Sequence, residues 1–305
     1  NISDKKNILV PAKTIYPVML DFRFTSYRMP SEVGEMEETI SWKYECNGML
    51  LRKESINVKM YFILSQPKNQ WFDNPLWADA LKYIIPKVQG ESDIQGLYVR
   101  ITRAINAEKQ LAYTPESKYV KWYELIKCFD LSQFLSDMFH SEQSGAMESV
   151  YAVNCTDCAA VVMSFANMLG GNLYCERMSS KQKDISFLLK PIIPIGNSEI
   201  STKYSSFIYH ETAMYHNSGN AEDLDNTTHK VYDASLEIET PSFGYIVSVG
   251  TSFSQYTDMQ VKESLIYVQE SDNSYRECLC PIEAAGVGSC YYDVQKGIDA
   301  LPIIL

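Results

Sequence analysis

The fold is decided by the stretch Asn154-Cys155-Thr156-Asp157-Cys158-Ala159-Ala160-Val161-Val162-Met163-Ser164-Phe165-Ala166-Asn167-Met168-Leu169-Gly170-Gly171. Ala159, Val162, Met163, Ala166 and Leu169 recur at intervals of three and four, the spacing that gathers side chains on one helix face. Asn154 is placed as an N-cap, Asp157 three residues on completes a capping box, and Gly170 supplies the stop. One well-marked helix with a cysteine in its first turn is therefore expected. A thiol there sits among backbone N–H groups the helix leaves unused, at the positive end of its dipole, and both favour the thiolate.

Outward from this helix the period changes. Downstream, Asn172–Met178, Ile185–Ile195, Tyr204–His216, Lys230–Glu239, Tyr245–Val249, Leu265–Glu270 and Tyr275–Cys280 read as strands, parted by Gly, Asn, Asp and Ser clusters such as Asn217–Thr228. Upstream, Val18–Tyr27, Glu38–Arg52 and Ile56–Ser65 read as a small antiparallel unit with breaks at Met29–Gly34 and Asn47–Gly48. A helix from Asn74 stopped by Pro86 follows, then a second whose apolar positions are Leu97, Ile101, Ala104, Ile105 and Leu111. Phe134, Leu135 and Met138 mark a further stripe, and the polar run Ser141–Ser149 reads as a surface connection or an active-site lid. The order β, then α, then a Cys-headed helix, then β predicts an α+β fold.

A thiolate that attacks an acyl group needs an imidazole to hold its proton and a carboxylate or amide to orient that imidazole. The histidines are His140, His210, His216 and His229. Asp233 cannot reach His229 along one straight strand, because four residues span about 13 Å. A hairpin with His210 opposite Asp233 pairs His229 with Met214 and Ile238 with Ser205, leaving Tyr215–Thr228 as the loop. Pairing His216 with Asp233 drives His229 against Asn220 in the segment least suited to a strand, so His210 is preferred and His216 and His229 read as surface or loop residues.

These residues resemble the transglutaminase-like superfamily. Cys155 heading a helix, Ala159 four residues on and Leu169-Gly170 at its end are similar to the family's nucleophile motif. Phe207-Ile-Tyr-His210 looks like its histidine strand, Val231-Tyr-Asp233-Ala-Ser235 like its aspartate strand, and Asp93–Thr114 like the helix preceding the core in many bacterial members. The likeness covers about residues 75–240. Gly-Gly-Asn-Leu-Tyr replaces the family's frequent Gly-Ile-Pro-Ala-Arg after the helix, no Trp follows Cys155, and a long segment separates Tyr113 from Cys155.

The resemblance implies a papain-like core, a Cys-headed helix on an antiparallel sheet, at 71–250; outside it, the strand pattern predicts β-rich units at 1–70 and 251–305. It implies the catalytic set Cys155, His210 and Asp233, no cofactor and no metal. The substrate class it implies is a protein or peptide. Relatives use such a site for peptide hydrolysis, deamidation, amide cross-linking or, in degenerate members, binding alone.

Composition narrows the partners. The chain has 305 residues, 27 basic against 38 acidic, for a net charge of −11, and at this length about three quarters of the unfolded surface can be buried without staples. With no Lys/Arg block, nucleic acid and anionic membrane are poor partners. The longest apolar stretches, around Ala159–Gly171 and Ile185–Gly196, are interrupted and too short to span a bilayer, and Asn1–Lys13 lacks the order of a signal peptide. The eight cysteines read as free thiols, which with a working thiolate suit a reducing cytosol, of the producing cell or of a target cell. The competing reading of Cys155-x-x-Cys158 with Cys278-x-Cys280 is a four-thiolate zinc site; a core thiol is the plainer reading of Cys155, and packing that of Cys158.

Overall fold

In the computed structural model, residues 30–46, 49–67, 77–114, 121–124, 128–143, 150–180, 187–188, 192–197, 206–215, 230–240, 245–247, 290–293 and 303–304 are described. Strand β1 (Gly34–Cys46) pairs antiparallel with β2 (Met49–Phe62), from Gly34 opposite Phe62 to Cys46 opposite Met49. The ladder runs through Lys53–Ser55, which the sequence reading left between two strands. In a two-stranded ribbon both faces meet water, so polar residues there pair across as readily as apolar ones, as Ser55 does with Ser41. The expected strand Val18–Tyr27 lies outside the described residues.

Helix α1 (Trp77–Val88) continues two residues past Pro86, where a stop was expected. Proline removes one backbone hydrogen bond, but the extra residues bury Val88 completely beside Ala80, Leu81, Ile84 and Ile85. Helix α2 (Ile94–Asn106) is capped by Asp93, whose side chain accepts the Gly96 N–H at 2.7 Å. Leu111 does not continue this helix. It opens strand β3 (Leu111–Tyr113), in which Leu111 and Tyr113 are buried and Ala112 is not. Strands β4 (Tyr123–Glu124) and β5 (Cys128–Asp130) form an antiparallel pair. Helix α3 (Leu131–Gln143) buries Phe134, Leu135 and Met138 as its stripe predicts. Of the segment read as a lid or connection, Ser141–Gln143 are the end of α3, and 144–149 lie outside the described residues.

Strand β6 (Tyr151–Val153) pairs in parallel with β3, Tyr113 opposite Val153, and runs straight into α4 (Cys155–Met168). All of α4 is buried, which is why its sequence is apolar nearly all round. It packs between α2 on one side and a sheet on the other. After α4 the backbone turns at Gly170, at φ 98°, where a Cβ would lie 2.6 Å from the Ser65 carbonyl oxygen. Asn167 then fixes the return, accepting the Leu173 N–H at 2.7 Å and donating to its carbonyl at 3.0 Å.

The remaining strands are β7 (Tyr174–Ser180), β8 (Phe187–Leu188), β9 (Ile192–Pro194), β10 (Ser206–Phe207), β11 (Tyr209–Tyr215), β12 (Lys230–Tyr232), β13 (Leu236–Thr240), β14 (Tyr245–Val247), β15 (Cys290–Asp293) and β16 (Ile303–Ile304), with a 3-10 turn at Ile195–Asn197 after β9. The sheet under α4 has the order β12-β11-β7-β15 and is antiparallel throughout. Strand β13 lies between β14 and β9, β8 pairs with β10, and β16 joins β5 in parallel. Each of the expected strands Ile185–Ile195, Tyr204–His216 and Lys230–Glu239 is thus divided in two. Leu265–Glu270 and Tyr275–Cys280 lie outside the described residues. The described fold is α+β, and none of its helices is long and apolar enough to cross a membrane.

Candidate active site

An α-helix leaves its first four N–H groups without partners inside the helix. In α4 the Asn154 side chain accepts the Asp157 N–H, and the Asp157 carboxylate accepts the Asn154 N–H, both at 3.2 Å. This capping box uses two of the four, and the Cys158 N–H begins the helical ladder on the Asn154 carbonyl at 3.1 Å. The N–H groups of Cys155 and Thr156 are those that remain. The second Asp157 oxygen takes the N–H groups of Lys121, at 2.8 Å, and Trp122, at 2.9 Å, seating that segment against the helix start. Burial pushes the Asp157 pKa up to about 6, against the hydrogen bonds from Trp122, Lys121 and Asn154 and the Lys121 charge, which hold it down.

His210 stands on β11, a central strand of the sheet that carries α4, and its Nε2 lies 2.8 Å from Oδ2 of Asp233. The expected hairpin register is off by two residues. Met214 faces Val231 rather than His229, Ala213 faces Tyr232, and Tyr215 is a strand residue paired with Lys230; Ile238 pairs with Val247 and Ile192 rather than Ser205. A shift of two keeps every side chain on its face, so His210 and Asp233 still meet, now diagonally. The β12 ladder stops at Tyr232 because Asp233 turns the chain, its Oδ1 accepting the Ser235 N–H at 2.8 Å and the Ser235 hydroxyl at 2.6 Å. Asn106 donates to the Ala234 carbonyl at 3.0 Å and the Ile195 N–H to the Ser235 carbonyl at 2.9 Å, so α2 and the 3-10 turn both hold this bend.

Cys155, His210 and Asp233 are 4%, 0% and 6% exposed. Burial, the largest single influence on the imidazole, lowers its pKa, but the charge and hydrogen bond of Asp233 and the hydrogen bond and charge of Cys155 together raise it to about 10. Because Nε2 is committed to Asp233, Nδ1 is the ring nitrogen left to exchange a proton with Cys155. The imidazolium is the favoured form because these contacts outweigh the cost of burying its charge. The Phe207 ring stacks on His210 at 5.5 Å and 18°, fixing its plane. Cys155 carries a free thiol, and Cys158, one turn on, is fully buried with its thiol pKa pushed well up by burial and by nearby Asp157 and Asp233, which suits packing.

The structure thus brings together the three residues expected to act together. His140 lies in α3, while His216, His229, Cys278 and Cys280 lie outside the described residues; among the described residues, no group of three or more His, Cys, Asp or Glu side chains is placed to hold a metal ion. Three neighbours were given no role from sequence. Ser235 anchors Asp233, and Phe207 stacks on His210. Tyr113, 3% exposed, lies near enough to Cys155 for the charge of its sulfur to act on the phenol, and its ring is 6.2 Å from that of Phe207. The alternation of Leu111 and Tyr113 just before Pro115 was the available signal for Tyr113.

Compared with protein-family models, curated proteins and solved structures, the chain matches none.

Proposed function

We propose that the chain is a cysteine hydrolase of the transglutaminase-like kind, with a papain-like core and β-rich units at either end, acting on amide bonds of proteins or peptides. The juxtaposition of Cys155 at a helix start with His210, itself held by Asp233, carries this reading. The Cys155 thiolate adds to an amide carbonyl, and the negative charge that develops on oxygen is met by the Cys155 N–H left over from the capping box. His210 gives its Nδ1 proton to the departing amine as the C–N bond breaks, and a thioester on Cys155 remains. Water then attacks, losing a proton to Nδ1; the C–S bond breaks, and the acid leaves. Asp233 stays ionised throughout and keeps the imidazole in place. A nucleophile that works only when reduced fits a reducing compartment.

Iodoacetamide at pH 6, followed by peptide mapping, tests the nucleophile. Cys155 is expected to alkylate ahead of Cys158 and Cys175, and Cys155→Ala to abolish release of new amino termini from a casein digest. Alkylation of Cys155 no faster than of the other two, or undiminished cleavage in the variant, would sink the reading.

A further inference from the structure

We infer that Tyr113 is a further catalytic residue, its phenol donating a hydrogen bond to the oxygen of the tetrahedral adduct on Cys155. The inference rests on the cysteine-hydrolase reading and adds to it the second donor of the oxyanion site. Strands β3 and β6 run parallel, with Tyr113 opposite Val153 and the Thr114 N–H bonded to the Val153 carbonyl at 2.8 Å. Strand β6 delivers Cys155 two residues later, so the same pairing that places the nucleophile places Tyr113 beside it.

In the resting site the buried phenol is near enough to Cys155 to feel the charge of its sulfur. A carbonyl carbon attacked by Sγ carries its oxygen two bonds from that sulfur, so a donor close to Sγ is within reach of the oxygen. Trp122 and Tyr151, two further aromatic donors near the helix start, are committed elsewhere, the indole N–H to the Asp137 carboxylate at 2.9 Å and the phenol to the Asp137 carbonyl at 3.1 Å. Tyr113 also keeps its proton. Burial first, then the charges of Cys155, Asp233 and Cys158, push its pKa well above the usual tyrosine value. It remains a neutral O–H donor while charge develops on the carbonyl oxygen, and because it is buried and fixed it need not reorganise to stabilise that charge.

Acylation of Cys155 by 4-nitrophenyl acetate separates this role from the others. Sγ bonds to the acetyl carbon, the carbonyl electron pair moves to oxygen, and collapse expels 4-nitrophenolate, leaving one acetyl thioester. Alkylation by iodoacetamide uses the same thiolate but displaces iodide at a saturated carbon and creates no oxyanion. Tyr113→Phe keeps the ring against Phe207 and removes only the hydroxyl. It is expected to slow acylation by about 100-fold while the alkylation rate and near-ultraviolet dichroism stay at wild-type values. Equal slowing of both reactions would assign Tyr113 to the thiolate or to packing, and an unchanged acylation rate would remove it from the chemistry; either overturns the inference while the hydrolase reading stands. Failure of the wild type to acquire the acetyl group on Cys155 would overturn both.

Discussion

Ser235 closes on Asp233 with two donors, its N–H at 2.8 Å and its hydroxyl at 2.6 Å, both on Oδ1, and so leaves Oδ2 to His210 at 2.8 Å. A carboxylate held on both oxygens cannot rotate, and the imidazole bound to it through Nε2 is held in one orientation. The bend that makes this contact also moves the chain from β12 to β13, out of the sheet under α4. Orientation of the imidazole and the division of the strand are therefore one structural event.

Ser235→Ala removes one of these donors and leaves the backbone bond. A hydrogen bond to a charged group contributes about 2 kcal/mol, so the urea unfolding midpoint should fall by an equivalent amount and kcat by about tenfold through a loosened imidazole. Ser235→Thr, which keeps the hydroxyl, should recover most of the turnover. Equal losses in the two variants would show that packing at Ser235, rather than its hydroxyl, matters.

Gly196 makes the second link to the site. Its φ is 81°, and a Cβ there would run into the Leu111 carbonyl oxygen and stand 2.8 Å from the Ala112 Cα. The following strand residue is Tyr113. Gly196→Ala should therefore destabilise the fold by about 2 kcal/mol and slow acylation of Cys155 more than its alkylation. Gly34→Ala is the control, since a Cβ at Gly34 meets nothing within 4 Å, and it should leave both rates unchanged.

The His210 pKa of about 10 stands above the ordinary value of 6.5 because the pull of Asp233 and Cys155 outweighs burial. A raised folded-state value means stability that is complete below pH 6.5 and is lost as pH rises through about 10. In Asp233→Asn the carboxylate charge is gone and burial is opposed by less. The gap in urea midpoint between wild type and this variant should be widest below about pH 6.5 and should narrow as pH rises toward about 10. A gap independent of pH would show that no charged His210–Asp233 pair exists in the folded protein.

How much of this could be read from the chain depends on how local each signal is. The start of α4 was legible because Asn154, Asp157 and Gly170 act within a turn of the residues they cap. His210 and Asp233 were legible as partners since an even register shift leaves faces unchanged, although their opposition in the ladder was not correct. Tyr113 was hidden because β3 is only three residues long and pairs with β6 across the whole of α3, while Leu111 falls in step with the preceding helix. The split of Lys230–Glu239 depends on one side chain competing with the ladder for the Ser235 N–H. Strand β15 joins β7 from far along the chain, and no local pattern announces that pairing.

The carboxylate of the capping box should set the acid behaviour of the fold. Burial raises the Asp157 pKa from 3.8 to about 6 despite its hydrogen bonds from Trp122, Lys121 and Asn154. A raised folded value again means a contribution present below pH 3.8 and lost as pH climbs through about 6, worth about 3 kcal/mol over that range. Asp157→Asn cannot titrate. Its amide turns an N–H toward the Asn154 N–H, a penalty that does not vary with pH, so the variant starts less stable by a fixed amount. Between pH 4 and pH 6.5 the wild type should lose ground against it in urea melts, with the difference changing by about 3 kcal/mol. A difference that stays flat, or that moves in favour of the wild type as pH rises, would mean that the N–H bonds of Lys121, Trp122 and Asn154 outweigh burial and that the carboxylate at the nucleophile's helix is ionised throughout that range.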